Sequence, residues 1–303
     1  MTRINVAPSA AERTATLVGS GAILLWSTLT LLVTFVPGMP PFQLVAVTFF
    51  IGSVLMLVKW YIAGQCSIAR LIHPWRAWLL GVGGIFGYHA FYFAALSLAP
   101  PLEASLINYL WPLLIVVFSA FLPGMRLRWF HGLGALMGLA GTAILVAGER
   151  EFAFASAHLA GYVCAFLAAV TWAGYSVLSR RLPEVPSDSV GGFMAATALL
   201  AFAVHETFET TVWPEGALAW AAVALLGLGP LGTAFFLWDH GVKRGDIRVL
   251  GAASYAAPLI STLLLIAFGR GEAGGRVAAA LLLIVGGAVL AAKEMLFRRA
   301  PAD

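Results

Sequence analysis

A chain of 303 residues that is 61% hydrophobic and 11% charged, with a mean hydropathy of +0.91, falls outside the composition of soluble domains, which are near half apolar and a quarter charged. Its length holds ten helices of roughly 20 apolar residues joined by short connections, with no room for a large soluble domain. Long unbroken apolar runs exclude the alternating strands of a membrane β-barrel, and the net charge of +4 tells less than where the charges fall.

In chain order, the first apolar run covers 16–36. It follows Arg3 and Arg13 but is too long for a signal-peptide h-region and lacks a small-x-small cleavage site, so it reads as a retained helix. Further runs follow at 42–62, 77–98, 102–122 and 129–148, then at 158–180, 190–205, 217–239, 248–268 and 276–297. Pro/Gly-rich stretches such as Pro37-Gly38-Met39-Pro40-Pro41 and Pro100-Pro101 separate them. The run at 190–205 is the shortest, and His205-Glu206 marks its end. Cys66 and Cys164 are too few for a disulfide or metal framework.

With ten spans and a cytoplasmic N-terminus, the inner segments carry Arg3, Arg13, Lys59, Arg70, Arg76, Arg126, Arg128, Arg180, Arg181, Lys243, Arg244, Arg248, Lys293, Arg298 and Arg299. Only Arg150, Arg270 and Arg276 fall outside. That asymmetry is what the positive-inside rule requires, and it places both termini in the cytoplasm.

A shift of 146 residues superposes the two halves without a gap: Trp26 on Trp172, Pro37 on Pro183, Pro40 on Pro186, Tyr109 on Tyr255, Pro112 on Pro258 and Gly141 on Gly287. Leu and Gly matches mean little in this composition, whereas Trp, Tyr and Pro in one register mean more. The expected architecture is an all-α polytopic membrane protein, its ten transmembrane helices forming two inverted five-helix repeats, residues 1–150 and 151–303. Five is odd, so the copies run in opposite orientation, and sites in such folds lie at mid-membrane between them.

The paired five-helix halves resemble the ten-helix, EamA-type members of the drug/metabolite transporter superfamily. The stretch from Leu98 through Asn108-Tyr109-Leu110-Trp111-Pro112, with its mate from Trp238 to Pro258, is similar to YddG-like aromatic amino acid exporters. One feature departs from that group, in which a Glu often follows the fourth helix of each half: Glu272 is present in the second copy, but Met125-Arg126 stands in the first. The resemblance implies export of an aromatic or other neutral amino acid across a bacterial inner (plasma) membrane.

Polar and aromatic residues inside lipid are costly and face the bundle interior. Tyr88 and Tyr92 share a helix face beside His89, the one embedded imidazole. Asn108 and Trp111 lie on one stripe with Ser105, and Tyr109 on the next. Trp26 answers Trp172, with Tyr175 following, and Trp238, Ser254 and Tyr255 complete the expected cavity lining. Such walls suit an aromatic side chain by edge and face contacts and an ammonium by cation–π attraction. Tyr109 and Tyr255 have a second reading: a Tyr just before a Pro can instead hydrogen-bond backbone freed by the kink. Pro112 and Pro258 are expected bends, and Glu103, Asp239 and His240 are candidates for gating or coupling, with Lys243 and Arg244 nearby. Glu103 equally suits the N-terminus of its helix. Trp60, Tyr61, Trp75, Trp78, Trp129 and Trp213 are expected to anchor the interfaces. The pairs Gly83/Gly87 and Gly134/Gly138 have the small-xxx-small spacing of close helix packing.

The partners expected are a small-molecule substrate and the lipid bilayer, with no nucleic acid, metal or cofactor. A Walker motif is missing. A membrane enzyme would show clustered acids and histidines, but no H-E-x-x-H or G-x-S-x-G occurs. A retinal protein would need a mid-span lysine, and Lys59, Lys243 and Lys293 all fall near span ends.

Overall fold

In a bilayer each backbone N–H and C=O must be satisfied within its own segment, which leaves the helix as the only open-chain solution. The computed structural model, which describes residues 9–147, 154–270 and 272–297, consists of helices and their connections, with no strand among the described residues. Arg3, Arg150, Arg298, Arg299 and the expected repeat boundary at 150/151 lie outside those residues.

Among the described residues, nine helical segments have the length and apolarity to cross a membrane: α1 Ala10–Val33, α2 Pro41–Ile62, α3 Trp75–Leu98, α4 Pro101–Ser119, α5 Trp129–Ala147, α6 Ser156–Arg181, α7 Ser187–Phe208, α8 Gly216–Arg244 and α9 Ile247–Ala267. The tenth, α10 Gly275–Ala291, has 17 residues, the lower end of what spans a bilayer. The run expected over 276–297 therefore ends early, and a separate short helix, Lys293–Phe297, follows a turn at Ala292. The α8 helix in turn outlasts its apolar run by a polar turn, and α7 extends past 205 to Phe208.

Packing reproduces the internal repeat. The α2 helix packs on α7 and α5 on α10, each against its own mate, while α3 on α6 matches α8 on α1, and α4 on α6 matches α9 on α1. Individual crossings obey the same symmetry. At the α1/α8 crossing a methyl added to Gly19 would stand 2.8 Å from the Gly241 Cα. The residues 146 positions away, Ala165 and Ala95, are fully buried together at the α6/α3 crossing. In the α5/α10 pair Gly134 touches the Gly287 carbonyl, and its counterpart sets Gly141 against the Ala280 carbonyl. Backbones that approach this closely exclude any Cβ. Replacing Gly19 with Val is expected to cost about 1–3 kcal/mol through overpacking, read as a lowered melting temperature of the detergent-purified protein. Gly83, in contrast, meets no neighbour among the described residues and borders a lateral groove between α3 and α6, so the small-xxx-small reading holds at Gly134/Gly138 only.

Of the expected interfacial anchors, Trp60 is internal and Trp78 is half-buried. The Trp60 ring is buried and its Nε1 donates to Asp188 at 3.2 Å, and Trp78 packs edge-on against Phe193. Tyr61, Trp75, Trp129 and Trp213 are exposed as expected.

Three spans bend. The α8 helix passes through a π-turn at Gly229–Thr233, where Pro230 cannot donate to the ladder. The α4 helix breaks between Asn108 and Trp111, and α9 between Ala253 and Ala256, one break being the repeat image of the other. Each break stands just before the proline of its half, Pro112 or Pro258.

Candidate functional site: an aromatic cavity between the repeats

The broken helices turn their side chains into a cavity of about 260 Å³ formed by α1, α3, α4, α6, α8 and α9. Eight of the expected residues line it: Trp26, Tyr88, His89, Tyr92, Asn108, Tyr109, Trp111 and Trp172. Pro258, expected as a bend, is also on the wall. Leu29, Thr30, Leu231, Phe235, Ala257 and Ser261 complete the lining. Three of these six, Leu29, Leu231 and Ala257, carry no polar or aromatic mark in an apolar chain, and Thr30 and Ser261 carry only a hydroxyl. Phe235 is aromatic but is one of 20 Phe, so only the fold singles it out. No Asp, Glu, Lys or Arg among the described residues borders the cavity.

The wall is a set of interlocked rings. Trp26 meets Trp172 and Trp111 edge-on, with centroids 5.7 and 6.3 Å apart, and Tyr88 lies 5.4 Å from Trp172. Tyr88 stacks over Tyr92 one turn away. Each phenol reaches across to α4: Asn108 Nδ2 donates to the Tyr88 hydroxyl at 3.2 Å, and the Tyr92 and Ser105 hydroxyls are 3.1 Å apart. This two-rung ladder follows from i, i+4 spacing on α3 facing i, i+3 spacing on an antiparallel α4. The His89 ring is clasped by Phe49, Phe93 and Phe235, and its Nδ1–H donates to the Ile85 carbonyl at 2.8 Å, leaving Nε2 as the acceptor of the neutral ring.

Four expected lining residues stand elsewhere. Trp238 is fully buried beneath the cavity, tilted against Trp26 at 5.1 Å, with Nε1 donating to Ser176 at 3.0 Å; it forms the floor. Tyr175 lies below that floor beside Asp239, Lys243 and Phe193, because the α6 helix carries it one turn past Trp172. The Ser254 hydroxyl is spent on the Leu250 carbonyl of its own helix. Tyr255 is fully buried against Gly138, and its hydroxyl accepts from the Leu113 N–H at 3.2 Å and donates to the Tyr109 carbonyl at 3.0 Å. The two tyrosines related by the repeat have therefore divided the two readings between them: Tyr109 lines the cavity and Tyr255 serves freed backbone.

The end of the bundle bearing Thr16, Arg180 and Asp246 is closed. Asp239 and Lys243 pair at 2.9 Å, both almost fully buried, but they lie on one helix and cannot bridge two. The connections between helices are made by Lys243, through a backbone carbonyl, and by groups the sequence did not single out. Lys243 donates to the Val185 carbonyl at 3.0 Å, and Arg180 Nη1 donates to the carbonyls of Val242 and Gly245 at 2.7 and 2.6 Å. The Asp246 N–H donates to Thr16 Oγ1 at 2.9 Å. Asp246 also caps α9 and holds Arg248. Burial works to raise its pKa, but the hydrogen bonds and charge of Arg248 outweigh burial and hold the carboxyl below its ordinary value. Its stabilisation is therefore present above the ordinary carboxylate range and lost only as pH falls through the depressed value. His240 accepts from Arg244 of its own helix at the surface of this end, so it latches nothing across the bundle. Glu103 is buried at the opposite end, in the first turn of α4, where a carboxylate suits the helix N-terminus.

The model of the EamA-like transporter family matches this chain twice, over residues 13–147 and 159–292. The chain belongs to that family. It is 53% identical to the aromatic amino acid exporter YddG of Ancylobacter novellus over 278 residues, 91% of this chain and 96% of that protein. It is 26% identical to the protein of the same name from Salmonella typhimurium, covering 82% and 87% of the two chains. A solved crystal structure superposes with a TM-score of 0.89 at 52% identity, covering 95% of this chain and 99% of the other. This EamA-like chain thus shares its five-helix duplication with a family of membrane transporters.

Proposed function

We propose that this protein is a secondary transporter, with no covalent chemistry of its own, that exports aromatic amino acids and similar neutral amphipathic metabolites from the cytoplasm. It would sit in a bacterial inner membrane with both termini inside, the orientation favoured by fifteen of its 18 Lys and Arg. The closed end described above is then the cytoplasmic one, and the cavity faces outward.

The observation that carries the reading is the cavity itself, walled by indole and phenol rings and bordered by no charged side chain among the described residues. A side chain with a net charge would lose its hydration there without gaining a counter-ion. An aromatic ring gains edge and face contacts worth about 0.5–1.5 kcal/mol each beyond burial. The substrates named for the two YddG relatives fit this chemistry.

Alternating access follows from the repeat. The breaks in α4 and α9 are images of each other, and their environments differ in this state, with the Tyr255 hydroxyl inserted into α4. In the inward-facing state the two halves exchange roles.

Proteoliposomes containing the purified protein are expected to carry labelled phenylalanine faster than empty vesicles, with threonine as the non-aromatic comparison. Flux no greater than in empty vesicles for all aromatic amino acids would refute the assignment. Trp111→Ala removes one wall and is expected to lower phenylalanine flux about tenfold, or about 1.4 kcal/mol, while the protein elutes as a folded species.

A further inference from the structure

A zwitterionic substrate brings an ammonium and a carboxylate into a cavity whose described lining offers no Asp, Glu, Lys or Arg as counter-ion. Neutral dipoles must therefore sort the two ends. Asn108 is nine-tenths buried on the cavity wall and spends its Nδ2 on the Tyr88 hydroxyl at 3.2 Å. Its Oδ1 is buried and has no hydrogen-bond partner among the described residues. A buried carbonyl oxygen left unpaired is costly, and the cost is removed when a donor enters the cavity. The neighbouring faces of Tyr88 and Trp172, centroids 5.4 Å apart, add the negative face potential that attracts a cation.

We propose that Asn108 Oδ1 is the ammonium subsite of this cavity and that it sets the preference for amino acids over the corresponding deaminated acids. The proposal rests on the amino acid reading above and deepens it. Tyr88 acts as the positioning residue: by engaging Nδ2 it fixes which end of the amide faces the substrate. The break in α4 that follows Asn108 places this side chain beside the hinge, so occupation of the subsite is felt where the helix bends.

The test is competition against labelled phenylalanine counterflow in proteoliposomes, using unlabelled phenylalanine, phenylalaninamide (ammonium without carboxylate) and 3-phenylpropanoate (carboxylate without ammonium). In the unaltered protein, 3-phenylpropanoate is expected to compete at least tenfold more weakly than the two amines. Asn108→Leu is expected to weaken both amines at least tenfold and leave 3-phenylpropanoate unchanged, so that the preference disappears. Asn108→Asp, which keeps acceptor oxygens in place, is expected to retain phenylalanine within threefold and to favour phenylalaninamide. That variant also decides the matter if Asn108→Leu fails to fold. The proposal is overturned if Asn108→Leu weakens all three competitors equally or none, or if it weakens 3-phenylpropanoate alone. It is likewise overturned if Asn108→Asp abolishes phenylalanine competition, since Asn108 would then present Nδ2 to the carboxylate. Absence of phenylalanine counterflow in the unaltered protein refutes the amino acid assignment itself, and the ammonium subsite falls with it.

Discussion

Tyr255→Phe is expected to reduce phenylalanine export by more than tenfold while leaving a folded protein, although Tyr255 does not line the cavity. Its hydroxyl stands between the Leu113 N–H and the Tyr109 carbonyl, the pair that an uninterrupted helix would join directly, four residues apart. Pro112, which has no N–H to give the Asn108 carbonyl, opens the ladder one position earlier, and the phenol fills the gap beside it. Removing the oxygen strips two buried hydrogen bonds, each worth about 0.5–1.5 kcal/mol and more when a partner is stranded. The α4 helix then relieves its unpaired groups by closing the break and drawing Tyr109 and Trp111 away from the cavity. The expected readout is a shift in state population. A single cysteine introduced on the cavity wall of a Cys66→Ser, Cys164→Ser background becomes less accessible to a membrane-impermeant thiol reagent added from outside. The repeat supplies a control of opposite sign. Tyr109 is the mate of Tyr255, and in the inward-facing state it is due to enter α9 beside Pro258 as Tyr255 now enters α4. Tyr109→Phe is therefore expected to raise outside accessibility. Equal accessibility in both variants would remove the reciprocal exchange.

The architecture was largely legible because it depends on long-range regularities. Apolar run length fixed the spans, and Trp26/Trp172, Tyr109/Tyr255 and Pro112/Pro258 fixed the repeat that the α1/α8 and α6/α3 crossings reproduce. Cavity residues were legible where a costly side chain inside lipid demanded a reason, as at Tyr88, His89 and Asn108. The same rule misassigned Trp238, Tyr175 and Ser254. It locates a residue in the bundle interior but gives no depth along the helix axis, and one turn separates the Trp172 wall from Tyr175 beneath the floor. Tyr255 was misplaced for a different reason: in this state the inverted halves are chemically alike and conformationally unlike, and that difference is not written in either half. Thr30 and Ser261 went unseen because a hydroxyl in a helix usually bonds its own backbone. Asp239 drew attention as the buried acid, yet its cation lies on the same helix, so the closure of that end falls to Arg180, Thr16 and the Lys243 contact with the Val185 carbonyl.

Arg180→Met is expected to have the largest effect on the balance between states. The guanidinium leaves the last turn of α6 and donates to two carbonyls at the end of α8, Val242 and Gly245, where the helix presents unpaired C=O groups and a negative dipole end. Hydrogen bonds from a charged donor contribute about 1.5–3 kcal/mol each. Arg180 is partly exposed, so solvent takes a share of that, and a net loss of about 2–3 kcal/mol remains. An equilibrium displaced by that amount moves about thirtyfold to somewhat over a hundredfold. Met keeps the length and apolar stem, so packing against α8 survives while the donors go. Other connections at this end persist, among them Lys243 to Val185, Asp246 to Thr16 and Arg248 to the Arg126 carbonyl, which is why the variant is expected to fold and to open rather than unravel. Opening is read with Ser176→Cys, a fully buried position below the Trp238 floor, whose thiol becomes reactive to reagents added on the side of that end, the cytoplasmic side in the orientation proposed above, only when that end parts. Arg180→Lys restores one charged donor but not the two-carbonyl reach of the planar fork, and is expected to fall between Met and the unaltered protein. If the thiol introduced by Ser176→Cys stays protected when combined with Arg180→Met, closure at this end rests on the remaining contacts and Arg180 only caps α8.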